Sequence, residues 1–310
     1  MLKFYTRLKL DDNLTVSDTM TSNCWVFAEN PTDEDISFLL NKLHLDDGLL
    51  MDSIDVDEAP RVEYEDGLLY VFSRFAYVDS AGNTKTSPVM FVIGKKFIAT
   101  ISISSRSPYK LFAEENQGYT TINRMDLLTK LLKISMDTYS FRLNNVSKQV
   151  RYSRSKLNVD DVSNKDFIQL VEIGDVLNEF LGDIVPLNSA LQILAKNKQT
   201  PKFTEDELDT IEDIYLSSNQ LLDNSKGALK TIVNIREAYS NIATNNLNKK
   251  ITLLTTLTVV LTIPTIVGSF WGMNVTVPFH GSNHSFLIII SVTLLLASAT
   301  LGWLKYKKWF

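Results

Sequence analysis

Cysteine is almost missing from this sequence: Cys24 is the only one in 310 residues. One thiol excludes an intrachain disulfide and a Cys-rich zinc site. Histidine is scarce too, with only His44, His280 and His284. No Gly-rich phosphate loop and no Ser/His/Asp arrangement stands near a recognisable motif, so an enzyme reading has no support. Positive charge is not in excess either. The formal net charge is −5, which argues against a general nucleic-acid binder, whose footprint is basic. The opening stretch MLKFYTRLKLDD lacks the continuous apolar core of a signal peptide. Residues 1–250 are therefore expected to stay in the cytosol.

Charge of either sign is missing from two long runs, Ile251–Trp271 and Ser285–Leu304. Each is about 20 residues, the length a helix needs to cross a ~30 Å hydrocarbon core. The second, SFLIIISVTLLLASATLGWL, is apolar throughout; the first is Thr-rich and holds Pro264. The competing reading, a pair of buried core helices, is disfavoured because neither run carries a charged face. Lys249 and Lys250 precede the first run, and Lys305, Lys307 and Lys308 follow the second. By the positive-inside rule both flanks face the cytoplasm, and the loop between the spans faces outward.

The remainder reads as mixed α and β up to about residue 120. Strand-like runs cover 24–28, 68–78, 87–93 and 96–104. A helix is predicted from Pro31 and Thr32, with acids in its first turn, and another near 49–55. From about Met125 the strand signals stop. Amphipathic helices fill 121–200, with Pro186 as a bend and NKQTP as the end of the second helix. Thr204 and Glu207 form a capping box just after Pro201. No proline follows until Pro264. Leu208, Ile211, Tyr215, Leu222, Leu229, Ile232, Tyr239 and Ala243 recur at steps of three, four or seven, the seam of a long self-associating helix. It runs into the first span without a breaker.

Inside that span a second periodicity appears. Thr255, Thr258, Thr262, Thr265 and Ser269 repeat at steps of 3 and 4, and the same line extends back through Ile251 to Asn248. Hydroxyls on one face of a membrane helix have two explanations. Each returns to its own i−4 carbonyl or packs at a dry helix interface, or several copies surround a water-filled pore. One two-span chain cannot enclose a channel, so the pore reading requires a homo-oligomer.

The triplet Gly272, Met273, Asn274 at the end of this span, the two C-terminal spans and the basic aromatic end KYKKWF together resemble the CorA family of magnesium transporters. The stretches WVFAENPTDEDISFLL and MDSIDVDEAPRVEYEDGLLYVF, and EDIY at 212–215, are similar to the family's cytosolic part, so the resemblance covers essentially the whole chain. It implies a funnel-shaped homopentamer: an α+β cytosolic domain (1–120), a helical hairpin region (121–200), a stalk helix (201–250), a pore-forming transmembrane helix (251–271), an outer loop (272–284), a second transmembrane helix (285–304) and a basic cytosolic tail (305–310). The implied location is the plasma membrane with both termini cytoplasmic.

The resemblance also implies roles. Magnesium holds its water shell tightly and demands octahedral geometry. A ring of Asn274 amide oxygens would accept hydrogen bonds from that shell, with Gly272 allowing close backbone approach or an unusual turn and Met273 packing to hold the loop. The implied regulatory ligands for cytosolic Mg2+ are Asp52 and Asp213, one from each of two neighbouring chains. The chain departs from the family pattern in its outer loop, VTVPFHGSNHSF, which has no Asp or Glu and carries His280 and His284. It also places Thr258 and Thr262 where relatives often have bulky apolar rings, leaving Ile251 and Leu254 as the candidate constriction. The expected function is Mg2+ uptake, extending to Co2+ or Ni2+, with Mg2+ both transported and regulatory. The alternatives are zinc transport on the same architecture and a membrane-anchored metal sensor that conducts nothing.

Overall fold

The computed structural model describes residues 2–115, 118–155, 164–196, 202–275, 278 and 284–307. Of the features singled out above, NKQTP with Pro201, His280, part of the outer loop and Lys308 onward lie outside the described residues. The chain divides into two units, 1–235 and 236–310.

The first unit is built on seven strands: β1 (Leu2–Thr6), β2 (Thr15–Ser17), β3 (Cys24–Glu29), β4 (Arg61–Glu65), β5 (Leu68–Val78), β6 (Thr84–Ile93) and β7 (Phe97–Ser102). They form one sheet in the order β2-β1-β3-β7-β6-β5-β4. Only β3 and β7 run parallel, in register Cys24 to Phe97 through Glu29 to Ser102. The segment between β3 and β4 contains two short helices, α1 (Asp33–Leu43) and α2 (Asp47–Asp52). The four predicted strand runs correspond to β3, β5, β6 and β7, while β1, β2 and β4 were not anticipated. β4 and β5 join through Asp66 and Gly67, with φ of 51° and 77°. That is the two-residue hairpin turn whose positive φ favours an Asp-Gly pair.

Period-two alternation gives the sheet two apolar faces. On one, Cys24, Val26, Ala28, Tyr70, Phe72, Met90, Val92, Ala99 and Ile101 pack with Leu39, Leu43, Leu49 and Leu50 of α1 and α2. On the other, Trp25 lies 5.5 Å from Tyr5 and 5.8 Å from Phe27 and Tyr119. Its indole N–H donates to Thr100 Oγ1 at 2.9 Å. Each such side chain, fully buried, contributes ~1.5–3 kcal/mol. Cys24 is wholly buried, and burial pushes its thiol pKa up, so it is an inert core residue.

Three helices follow: α3 (Tyr109–Glu115), α4 (Arg124–Ser155) and α5 (Asn164–Ala195). The helix α5 continues through Pro186. A buried polar cluster fastens α4 and α5 to the sheet. Arg74 of β5 faces Asp183 of α5, with Nε 3.0 Å from Oδ1. That Nε makes no hydrogen bond, so the contact is electrostatic rather than directional. Tyr139 of α4 donates to Asp183 Oδ2 at 2.7 Å. Glu179 of α5 accepts from Thr86 N at 2.8 Å and from Thr86 Oγ1 at 2.7 Å.

The helix α6 (Glu205–Trp271) has 67 residues, on the order of 100 Å at ~1.5 Å per residue. Its start is the predicted capping box: Thr204 N donates to Glu207 Oε2 at 2.7 Å and Glu207 N to Thr204 Oγ1 at 3.4 Å. Within the first unit its buried positions are Glu207, Ile211, Ile214, Ser218, Leu221, Ser225, Ile232 and Ile235. This seam is covered within the chain itself. Asn188 of α5 donates to Asn219 at 3.0 Å and Gln192 to Tyr215 OH at 2.8 Å. The anticipated seam is thus turned slightly: Ile211, Ile232 and Tyr239 are buried, Leu208, Tyr215, Leu222 and Leu229 are half-buried, and Ala243 is exposed.

The second unit holds the C-terminal part of α6 and α7 (Ser285–Tyr306). Among the described residues these two helices are long and apolar enough to cross a membrane, and their apolar windows are mostly uncovered in the single chain.

Candidate ion-path and regulatory sites

In the second unit, the covered positions of α6 are Thr252, Thr256, Val260, Ile263, Val267 and Trp271, and those of α7 include Ile289, Thr293, Ala297, Thr300 and Leu304. Each set recurs at helical spacing, so each helix has one partly covered face. At 3.6 residues per turn the line through Thr255, Thr258, Thr262, Thr265 and Ser269 lies roughly 160° around α6 from that face. Asn248, Ile251, Leu254 and all five hydroxyl residues are exposed in the single chain. One face of α6 is thus partly covered, and the opposite, hydroxyl-bearing face is left open.

How the hydroxyls use their protons is specific. Thr258 Oγ1 donates to Leu254 O at 2.9 Å, Thr262 to Thr258 O at 2.8 Å, Thr265 to Leu261 O at 3.1 Å and Ser269 to Thr265 O at 2.7 Å. The first sequence-level alternative, return to the i−4 carbonyl, therefore holds for these four. It leaves a second property untouched. A hydroxyl has one proton and two lone pairs, so with the proton committed to the backbone, the outward oxygen acts as an acceptor. By contrast Thr256, on the covered face, has its hydroxyl buried without a hydrogen-bond partner.

The helix ends at Trp271, and Gly272 N donates to Gly268 O at 2.9 Å. A Cβ at Gly272 would sit 3.2 Å from Gly268 O, tighter than ordinary van der Waals contact. A side chain there would need the Gly268 carbonyl to give by a few tenths of an ångström, and no left-handed turn calls for glycine, since its φ is not positive. Met273 is 50% exposed in the single chain, so within one chain it does not pack down as anticipated. Asn274 is exposed beside it.

The two regulatory candidates lie in the first unit. Asp52 ends α2, which begins one residue earlier than Gly48 and is capped by Asp46, whose Oδ1 accepts Leu49 N at 2.9 Å. Asp46 N in turn donates to Tyr70 OH at 3.0 Å, pinning the helix to the sheet. The predicted 49–55 helix is thus shifted to Asp47–Asp52. Asp52 Oδ2 is 2.6 Å from Arg61 Nη2. Arg61 also pairs with Glu58 and Glu63 and stacks over the Phe72 ring, 4.0 Å from its centroid. Sequence reading singled out Asp52 and missed this arginine, which the strand register places opposite Phe72 on an edge strand. Asp213 lies on the exposed side of α6, next to buried Ile214. Asp52 is thus partnered by a cation of its own chain, and Asp213 points away from the helix seam.

Over residues 21–307 the chain matches the family described as CorA-like Mg2+ transporter protein. A cobalt/magnesium transport protein CorA from Methanocaldococcus jannaschii is 22% identical over 288 residues, which cover 88% of this chain and 86% of that protein. The complete structure of a CorA magnesium transporter from Methanocaldococcus jannaschii superposes with a TM-score of 0.85 at 18% identity, covering 100% of this chain and 99% of that one. The ZntB cytoplasmic domain from Vibrio parahaemolyticus superposes with a TM-score of 0.64 at 11% identity, over 78% of this chain and 98% of that domain. At these identities the structural likeness establishes the fold.

Proposed function

The chain belongs to the CorA family of divalent cation transporters, and from that premise we propose that it carries Mg2+ across the plasma membrane through a pore made by five copies of α6. The observation that supports this most directly is the open stripe from Asn248 to Ser269. It lies opposite the covered face of α6, and four of its hydroxyls present acceptors outward. First-shell waters of a magnesium ion point their protons outward and are held too tightly to be stripped cheaply. A lining of neutral acceptors meets those protons without binding the ion itself. At the outer end, Gly272, Met273 and Asn274 form the filter, with the Asn274 amide oxygens accepting from the same shell. At the inner end, Ile251 and Leu254 supply the constriction. Co2+ and Ni2+, also hydrated divalent ions, fit the same route.

In this reading both chain ends are cytoplasmic, and transport involves no enzymatic step. Cytosolic Mg2+ closes the pore by binding between neighbouring first units, where Asp52 of one chain approaches Asp213 of the next. Two carboxylates repel when empty and are bridged when a cation arrives, the differential affinity that shifts a conformational equilibrium.

The test is a flux panel of Mg2+, Co2+, Ni2+ and Zn2+ on the full chain in liposomes with an imposed voltage. Voltage-driven Mg2+ flux, lost in Asn274→Ala with assembly retained, is the expected result. Zinc flux without magnesium flux would replace the ion assignment. No flux of any ion would favour a metal sensor.

A further inference from the structure

Three carboxylates, Asp52, Glu58 and Glu63, surround a single guanidinium. The arrangement is held from several sides. Arg61 opens β4 and lies over Phe72, its cross-strand partner. Arg74 reaches out of β5 and donates from Nη1 to the carbonyls of Val56 at 2.9 Å and Glu58 at 2.8 Å, fixing the backbone between α2 and β4. Ser53 Oγ donates to Leu50 O at 2.6 Å, closing the end of α2 that carries Asp52. The guanidinium itself is partly sheltered, its side chain 29% exposed, whereas the Asp52 side chain is 47% exposed. One side of the Asp52 carboxylate therefore faces outward while the other is held.

We propose that Arg61 is a built-in competitor for the divalent cation at Asp52, and that its hold on this carboxylate sets the cation concentration at which transport is shut down. The inference rests on the regulatory role of Asp52 proposed above. A guanidinium carries only donors and a fixed positive charge. It can neutralise Asp52 but cannot share a lone pair with a metal there, and it repels an arriving ion. Glu58 and Glu63 give the guanidinium somewhere to remain when Asp52 leaves it, so exchange does not strand a buried charge. Three carboxylates against one guanidinium leave an excess of two negative charges, which is what one divalent cation neutralises. Regulation is thereby shifted to a higher cation concentration than a bare Asp52 would give.

The experiment measures the Mg2+ concentration giving half-inhibition of flux in the reconstituted full chain, with Mg2+-dependent protease protection in detergent as a second readout. Arg61→Gln is expected to lower the midpoint by roughly fivefold, the size of one half-exposed ion pair. Glu58→Gln with Glu63→Gln leaves the guanidinium wholly to Asp52 and is expected to raise the midpoint. Asp52→Asn is expected to raise it as well. An unchanged midpoint in Asp52→Asn would remove Asp52 from regulation altogether. A raised midpoint in Asp52→Asn together with an unchanged or raised midpoint in Arg61→Gln would overturn the competitor role and leave Asp52 as a ligand. Should Arg61→Gln not fold, the glutamate pair decides: a raised midpoint supports the proposal, and an unchanged or lowered one overturns it.

Discussion

Replacing Arg74 by Met is expected to destabilise the first unit in a pH-dependent way. The Arg74 side chain is 8% exposed and donates three hydrogen bonds, to Val56 O, Glu58 O and Thr86 Oγ1. Methionine fills the volume and makes none of them, a loss on the order of 1 kcal/mol per bond, roughly 3 kcal/mol in all, at any pH. The second part depends on Asp183. Burial raises its pKa, while the Arg74 charge and the Tyr139 hydroxyl pull it down incompletely. A carboxyl with a raised pKa in the fold stabilises while it is protonated. Its contribution is complete below the unfolded value of ~3.9 and is lost as pH rises through the folded value. Removing Arg74 raises that folded value further, and each added pKa unit costs ~1.4 kcal/mol at pH above it. The deficit of Arg74→Met should therefore be smallest near pH ~4 and grow toward neutrality, reaching the ~3–5 kcal/mol or more typical of a broken buried pair. Urea unfolding of the detergent-solubilised full chain, followed by near-ultraviolet circular dichroism across this pH range, measures it. Arg74→Met with Asp183→Asn should keep the pH-independent part alone. A deficit of Arg74→Met that does not change with pH would refute the charge coupling.

Three further outcomes follow from the second unit. Thr262→Val removes an outward acceptor whose proton already serves the backbone, so stability should change by no more than about 0.5 kcal/mol while Mg2+ flux falls. Thr256→Val, on the covered face of α6, removes a buried hydroxyl without a partner and should leave flux unchanged with a stability gain of about 1 kcal/mol; equal flux losses in the two variants would remove the stripe from the ion path. Gly272→Ala places a Cβ 3.2 Å from Gly268 O, and the resulting shift of the turn should lower flux with assembly intact, as read by flux and size-exclusion chromatography on one preparation.

Local signals carried much of the fold. The capping box at Thr204 rests on side chains within three residues of the groups they satisfy, so sequence spacing alone reveals it, and the helix start read at Thr32 proves to be a second such box, closed by Asp35. β3, β5, β6 and β7 are dense in β-branched and aromatic residues because both sheet faces are covered. β4, RVEYE, escaped because it is an edge strand whose residues are only half-buried or exposed, and its charges read as solvent-facing. The α6 seam is turned slightly from the one the apolar spacing marks because hydropathy is silent about Ser218 and Ser225, which are fully buried there. At the sites, the spacing of Thr255 to Ser269 identified a face, but nothing in the letters tells a donor from an acceptor. Asp52 was found through resemblance; its partner Arg61 lies nine residues on and is brought back by the α2–β4 turn, a tertiary contact that no local pattern encodes.

The inward commitment of the stripe's protons has a consequence for the sign of charge. Around a cation, bound water turns both hydrogens to the surroundings; around an anion it spends one of them inward and shows its oxygen and the other hydrogen. In the proposed pore Thr258, Thr262, Thr265 and Ser269, their protons spent on the helix, would accept from every hydrogen the first kind of shell presents, from fewer in the second, and donate to neither. A wall without a single formal charge would thus favour a hydrated cation over chloride through the orientation of its solvent alone.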